Sequence, residues 1–61
     1  MKPYEVYIKF ANSGMVYKFK RNTLEECHAI VCEMRGKYPE QGVFYRVAHR
    51  VVIEQTDGFE F

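Results

Sequence analysis

Two cysteines and two histidines are the side chains of this sequence best suited to nucleophilic or metal chemistry. Cys27 and His28 are neighbours, Cys32 follows five residues after Cys27, and His49 is remote in the chain. A catalytic cysteine needs a depressed thiol pKa and a histidine base in contact with it. Adjacent residues of a helix point about 100° apart, so Cys27 and His28 are not expected to form such a pair. Cys27 and Cys32 lie roughly 140° apart on one helix, so they are not expected to form a disulfide.

Metal and cofactor binding lack a sequence signature as well. A structural zinc site needs four convergent ligands at short spacings such as C-x-x-C, and the chain contains no such spacing. Its glycines are isolated, so there is no glycine-rich phosphate loop. A chain of 61 residues also leaves little room for a pocket of roughly several hundred Å³. The sequence therefore predicts a protein that is not an enzyme, with no catalytic, cofactor or metal site.

Hydrophobic periodicity predicts the elements that position the remaining polar residues. Residues 4–11 and 15–21 alternate between apolar and polar side chains, which is typical of half-buried strands. Residues 12–14, an Asn-Ser-Gly segment, predict a tight hairpin turn with positive φ angles. The side chains expected to face the core from the second strand are Met15, Tyr17 and Phe19.

A capping box predicts the start of a single helix. In the segment Thr-Leu-Glu-Glu of residues 23–26, the Thr23 hydroxyl can accept from the Glu26 N–H while Glu26 reaches back to Thr23. An apolar stripe at helical spacing follows, and Gly36 and Pro39 are expected to end the helix. The stripe consists of Leu24, Cys27, Ile30, Val31, Met34 and Tyr38.

Residues 43–54 predict one further extended strand, with a bulge near Ala48 and His49. A right-handed crossover from the second strand then places the third strand beside the first. The predicted fold is a single α+β domain over residues 1–61, a ββαβ two-layer sandwich. Its three-stranded antiparallel sheet has the order 2-1-3, and one helix covers one face. The third strand is expected to direct Val43, Tyr45, Val47, Val51 and Ile53 towards the core and Phe44, Arg46, Arg50 and Glu54 away from it.

The sheet face opposite the predicted helix is the best candidate for a functional surface. It combines cations, which hold phosphates or carboxylates, with aromatic rings, which stack on bases or anchor protein interfaces. The same pattern also occurs on solvated sheet faces, where lysines protect edge strands from aggregation. The predicted partner-binding residues are Tyr7, Lys9, Lys18, Lys20, Phe44, Arg46 and Arg50.

Composition and charge limit the classes of partner. The net charge is only +1, which is low for a nucleic-acid-binding domain and favours a protein partner with an acidic surface. No apolar run is long enough for a signal peptide or a membrane span, so no membrane partner and a cytoplasmic location are expected. A domain this small is marginally stable alone, so a monomer and a homodimer both remain open. Residues 59–61 are expected to form either a short return strand or a frayed end.

The helix start at residues 23–26 after a hairpin resembles the small ββαβ proteins that bacteriophages direct against host machinery. The nearest family is the T7-type phage inhibitor of bacterial RNA polymerase, which has a similar length and a similar T-L-acid-E helix start. Its third strand has a V-x-R-V-like alternation, similar to residues 43–47 here, Val-Phe-Tyr-Arg-Val. In that family, outward arginines of the last strand bind an acidic surface of the polymerase. The resemblance implies this role for Arg46, with Arg50 as its companion.

The residues and the resemblance together predict a small non-enzymatic binding protein, encoded by a phage, that inhibits or modulates a larger host protein. The alternative is a regulator that binds nucleic acid through the same sheet face. A third hypothesis is a homodimer in which the bare face or an edge strand pairs with a second copy.

Overall fold

The computed structural model describes residues 2–59. They form a four-stranded antiparallel sheet with the order β2-β1-β3-β4, and one helix packs on one of its faces. The predicted α+β class, with one helix and an antiparallel sheet, is confirmed, whereas the predicted three-stranded sheet is wrong. The elements are β1 (Tyr4–Phe10), β2 (Val16–Arg21), α1 (Leu24–Lys37), β3 (Val43–His49) and β4 (Val51–Gln55).

The fourth strand arises because the predicted third strand is divided at Arg50. Arg50 has a φ of 70°, in the left-handed region that side chains other than glycine rarely adopt. The chain reverses there, so β4 returns antiparallel along β3, with His49 opposite Val51 and Arg46 opposite Gln55. The pairing register shifts between Val47 and Ala48, but the residue left unpaired is Ile53 of β4, so the bulge does not lie at Ala48 and His49 as expected. The turn contains no glycine or asparagine, and the polar pair His49-Arg50 that interrupts the alternation there is equally compatible with a bulge inside one strand.

Thr23 begins the helix as predicted. Its hydroxyl oxygen accepts a hydrogen bond from the Glu26 N–H at 3.2 Å, and the hydroxyl donates to Glu26 Oε1 at 3.2 Å. Gly36 does not end the helix, which continues to Lys37 and closes with a bond from the Tyr38 N–H to the Met34 carbonyl. The helix therefore extends one residue beyond the glycine that was expected to stop it.

The main core lies between α1 and the strands β1, β2 and β3. The alternation of the strands correctly predicted the residues that the sheet contributes to this core. The helical spacing of apolar residues correctly predicted most of those that α1 contributes. Met15, expected inside, is 62% exposed, and Asn12 and Gly14 do not adopt the predicted positive φ. No helix in the described part of the chain has the length and apolar character needed to cross a membrane. The buried residues of the core are Val6, Ile8, Phe10, Cys27, Ile30, Val31, Val43 and Val47.

Candidate functional site

Strand register brings six of the seven predicted partner-binding residues together on the sheet face opposite α1, which we call the open face. Tyr7 of β1 lies opposite Lys18 of β2 on one side and Arg46 of β3 on the other, so the three form a row across three strands. The next row along β1 places Lys9 opposite Phe44. The row on the other side places Glu5 opposite Lys20. Rows on one face of a sheet are about 7 Å apart, so all six residues lie on one compact surface.

Glu5 stands among these cations and binds one of them. Lys18 Nζ lies 2.9 Å from Glu5 Oε2, and the Tyr7 hydroxyl donates to Glu5 Oε1 at 3.2 Å. Lys18 Nζ is also 5.7 Å from the centre of the Tyr7 ring. The bond from Lys18 holds the pKa of Glu5 below its usual value, and Glu5 in turn raises the pKa of Lys18. The middle of the open face is therefore an organised ion pair beside an aromatic ring.

The chain after β4 covers part of the open face, which was predicted to be bare. Phe59 is only 3% exposed, although it lies outside the main core cluster. The Arg46 guanidinium carbon lies 5.0 Å from the centre of the Phe59 ring, and Arg46 Nε donates to Gln55 Oε1 at 2.9 Å. Since Arg46 is an open-face residue, Phe59 packs on that face too. The hypothesis that residues 59–61 fray is wrong for Phe59, and residues 60 and 61 lie outside the described range.

Thr56 fixes the start of this covering segment to β3. Its N–H donates to the Tyr45 carbonyl at 3.0 Å, and its hydroxyl accepts from the Tyr45 N–H at 2.9 Å. Gly58 then turns the chain with a φ of 83°, and a Cβ at that position would approach the Phe44 ring to 3.5 Å. Phe44 and Arg46 are therefore supports of the covering segment as well as open-face residues.

Arg50 does not share the open face from a strand, so its predicted placement is wrong. It lies in the turn between β3 and β4 and is exposed. Tyr7, Lys9, Phe44 and Arg46 are half-buried, whereas Lys18 and Lys20 are exposed. The exposed basic charge of the open face is thus concentrated on the edge strand β2.

The extra residue Ile53 in β4 moves Glu54 to the helix side of the sheet, against expectation. Glu54 lies opposite the buried Val47, and its two carboxylate oxygens are 2.9 and 3.0 Å from Nε2 of His28 on α1. The Tyr45 hydroxyl donates to the same carboxylate at 3.1 Å. The bond with His28, and secondarily that with Tyr45, lowers the pKa of Glu54, whereas burial followed by the Glu54 bond raises the pKa of Tyr45. Sequence reasoning missed this cluster because a shift of one residue moves a strand side chain to the other face.

An open cleft of about 390 Å³ lies on the helix side, between the β1–β2 hairpin and the end of α1. Phe10 forms its floor and contacts Tyr17 and Tyr38 edge to face, with ring centres 5.9 and 5.3 Å away. The expectation that so short a chain leaves little room for such a pocket is wrong. The space exists because Tyr17 and Tyr38 line the cleft and remain exposed, although both were predicted to face the core.

The cysteines differ in environment. Cys27 is fully buried, and burial raises the pKa of its thiol, whereas Cys32 is exposed on α1. The direction of the Cys27 shift is opposite to that of an activated nucleophile. Within residues 2–59, no three His, Cys, Asp or Glu side chains are grouped so that they could hold a metal ion.

Comparison of the chain with protein-family models, with curated proteins and with solved structures finds no match.

Proposed function

We propose that this protein is a small non-enzymatic binding protein that acts in the cytoplasm by covering an acidic surface of a larger protein. The contact surface is the open face, and the observation that carries the proposal is the row formed by Lys18, Tyr7 and Arg46 across three strands. A flat sheet face suits the occlusion of a partner surface better than the enclosure of a small molecule. The resemblance to phage inhibitors makes bacterial RNA polymerase the first target to test.

The charges of the open face are divided between two roles in this proposal. Exposed lysines at the rim of an interface accelerate encounter with an acidic partner, and their contribution falls with salt. Lys18 and Lys20 supply this rim on β2. Half-buried aromatic and arginine side chains near the centre of an interface set its lifetime. Tyr7, Phe44 and Arg46 occupy that central position.

The ion pair between Glu5 and Lys18 favours a protein partner over nucleic acid. A carboxylate 2.9 Å from Lys18 reduces the positive potential at the centre of the face, where a phosphate backbone would lie. The Tyr7 hydroxyl donates its proton to the same carboxylate, and Lys18 Nζ lies 5.7 Å from the centre of the Tyr7 ring. A protein interface accommodates such mixed charges, because neighbouring groups of opposite sign on the partner can pair with each of them.

Cys32 offers a means of testing the proposal without obstructing the open face. It is exposed on the helix layer, whereas Cys27 is buried, so a maleimide-biotin reagent immobilises the folded protein through Cys32. Binding of purified bacterial RNA polymerase, and of 20-nucleotide DNA and RNA, is then measured at several salt concentrations. The expected result is polymerase binding that weakens moderately with salt.

Lys20→Glu and Lys37→Glu are matched variants for this assay. Both reverse one exposed lysine, but Lys20 lies on the open face and Lys37 at the end of α1. The proposal requires that Lys20→Glu slow association severalfold while Lys37→Glu leaves it near the wild-type rate. Equal behaviour of the two variants would exclude the open face. Steeply salt-dependent binding of DNA or RNA, without polymerase binding, would replace the proposal with the nucleic-acid alternative.

A further inference from the structure

The two edge strands of the sheet, β2 and β4, differ in charge. β4 exposes Val51, Val52 and Ile53, although Val51 and Ile53 were expected to face the core. Its single charged residue, Glu54, is bound on the helix side. β2 carries exposed lysines, and within residues 2–59 no strand pairs with its outer side. Of the two edges in the described chain, β2 is therefore the one whose charges can select a partner strand.

The hydrogen-bond pattern identifies the backbone groups of β2 that point outward. In an antiparallel ladder, a residue that exchanges backbone bonds with its opposite neighbour alternates with one that does not. The Ala11 N–H donates to the Gly42 carbonyl at 2.9 Å, one position beyond the pair of Phe10 with Val43. The odd-numbered residues of β1 therefore bond to β3, and the even-numbered residues bond to β2. The β2 residues opposite those even-numbered positions are Tyr17, Phe19 and Arg21.

The other residues of β2, Val16, Lys18 and Lys20, therefore direct their N–H and C=O groups away from β1. The bond from Arg21 Nη1 to the Lys20 carbonyl, at 2.6 Å, agrees with this assignment, because a donor outside β1 reaches that oxygen. The side chains of Lys18 and Lys20 lie on the open face. An added strand would thus find its backbone partners at the same residues that carry the ammonium groups.

A strand added antiparallel to β2 would have two different sides. Its residues opposite Lys18 and Lys20 would lie on the open face, where carboxylates can form cross-strand pairs with the lysines. Its residues opposite Tyr17 and Phe19 would lie on the helix side, in the non-bonded pairs whose side chains are closer together. Both rings line the cleft beside α1, and Tyr17 is 40% exposed. The complementary strand therefore alternates between acidic and apolar side chains.

The charges of β2 also exclude a second copy of the same edge. Two paired β2 strands would bring together the cations of both chains, and like charges on opposed strands are destabilising. Edge lysines prevent indiscriminate pairing for this reason. An acidic strand gains attraction where a basic one is repelled, so these residues favour one class of partner over the other. The cations are Lys18, Lys20 and Arg21.

We propose that the outer edge of β2 is a docking site for an extended segment of a partner protein in which acidic and apolar side chains alternate. The segment adds a strand to the sheet, which is an established mode of peptide recognition. Its carboxylates pair with Lys18 and Lys20, and an apolar side chain enters the cleft beside Tyr17. The inference rests on the proposed function, because it specifies the element of the acidic partner that meets the lysines of the open face.

A synthetic peptide of alternating sequence tests the docking site. Fluorescein-labelled Glu-Val-Glu-Leu-Glu-Val-Glu is titrated with the full chain up to about 0.5 mM, since so short a strand gives a weak contact. The peptide should bind, as measured by fluorescence anisotropy. Binding should be about tenfold or more weaker when lysine replaces each glutamate, or when serine replaces each apolar residue. Absence of binding, or equal binding of any of these peptides, would overturn the proposal.

N-methylation of the peptide tests strand addition and its register. In the proposed pairing, the N–H groups of the glutamates point towards β2 and those of the apolar residues point away. Methylation of two glutamate nitrogens should therefore weaken binding about tenfold or more, because each lost bond costs about 1 kcal/mol. Methylation of two apolar-residue nitrogens should change it by less than about threefold. Equal effects of the two modifications would overturn strand addition.

Lys20→Glu and Arg50→Glu are matched variants of the protein for the same titration. Both reverse one exposed cation, but Lys20 lies on β2 and Arg50 in the turn beside the opposite edge. Lys20→Glu should weaken peptide binding about tenfold, and Arg50→Glu should leave it near the wild-type value. Circular dichroism verifies that both variants fold. Equal binding by the two variants would overturn the docking site.

The polymerase assay separates this inference from the function on which it rests. If polymerase binding depends on Lys20 while the alternating peptide does not bind, the docking site is wrong and the proposed function stands. If the peptide binds in the predicted register while the polymerase does not bind, the docking site stands and the polymerase is not the target.

Discussion

Replacement of Phe59 by alanine tests whether the segment after β4 is part of the folded structure. The ring is 3% exposed and lies on the open face beneath Arg46, outside the main core. Complete burial of a phenylalanine side chain contributes about 1.5–3 kcal/mol. A cation over its ring contributes about 0.5–1 kcal/mol more. We therefore expect Phe59→Ala to lower the free energy of unfolding by about 2–3 kcal/mol, below the values seen in central cores because the segment can relax.

A loss of this size is large for so small a domain, whose total free energy of unfolding is roughly 3–5 kcal/mol. The free energy of unfolding of so small a domain falls by about 1 kcal/mol per M urea. In urea denaturation followed by circular dichroism, the midpoint concentration of Phe59→Ala should therefore be about 2 M or more below that of the wild type. Asp57→Ala is the matched control, because Asp57 is exposed in the same segment and should change stability by less than about 0.5 kcal/mol.

Arg46→Ala completes a double-mutant cycle with Phe59→Ala. The coupling free energy should be about 0.5–1 kcal/mol if the guanidinium stacks on the ring as described. If Phe59→Ala is no more destabilising than Asp57→Ala, the ring is not packed on the sheet in solution. The reasoning about the covered part of the open face would then be refuted.

Four other perturbations have defined expectations. Gly36→Ala should stabilise the protein by about 0.5–1 kcal/mol in urea denaturation, because a Cβ there meets nothing within 4 Å and alanine is favoured over glycine inside a helix. A destabilised variant would contradict the observed end of α1 at Lys37. In the same assay, Arg50→Gly should stabilise the protein by about 1 kcal/mol, since glycine adopts the positive φ of this position without strain. A loss of stability would contradict the turn between β3 and β4. A maleimide reagent should label Cys32 rapidly in the native protein and Cys27 only after unfolding, and mass spectrometry of the peptides measures both. Equal labelling of the two cysteines in the native protein would contradict the burial of Cys27. The lowered pKa of Glu54 stabilises the fold fully above the unfolded-state pKa near 4.5, and this stabilisation is lost as pH falls through the lower folded-state pKa. Glu54→Gln should therefore lose less stability than the wild type between pH 5 and 3, about the range of carboxyl titration, and an unchanged pH profile would contradict the cluster.

Local patterns predicted the parts of the fold that depend on local physics. Alternation over β1 and β2 fixed which side chains face α1, and the capping box at Thr23 located the start of the helix. The β3–β4 hairpin escaped prediction because its turn uses Arg50 at positive φ. Val51 and Ile53 remain in phase with Val47 despite the interruption at His49 and Arg50, so one long strand with a bulge explains the sequence equally well.

The candidate site was predictable only where neighbouring strands were predictable. Tyr7, Lys18 and Arg46 share a row because the alternation of each strand places them on one face and the sheet order makes the strands adjacent. The burial of Phe59 depends on contacts with Arg46 and Gln55, which become neighbours only after β4 pairs with β3. No pattern within residues 56–59 encodes that contact.

The sheet order has a consequence for how the chain folds. The β1–β2 and β3–β4 hairpins are local and can each form in about 1–10 μs, but neither has a core of its own. Among the strand pairings of residues 2–59, only that of β1 with β3 joins distant parts of the chain, with Phe10 opposite Val43 at one end and Glu5 opposite Ala48 at the other. We call this pairing the seam. Closing that seam requires α1, which lies within the intervening loop, to dock at the same time. We expect the seam to be the rate-limiting nucleus, so that core truncations at Ile8 or Val47 slow folding while truncations in β4 mainly speed unfolding.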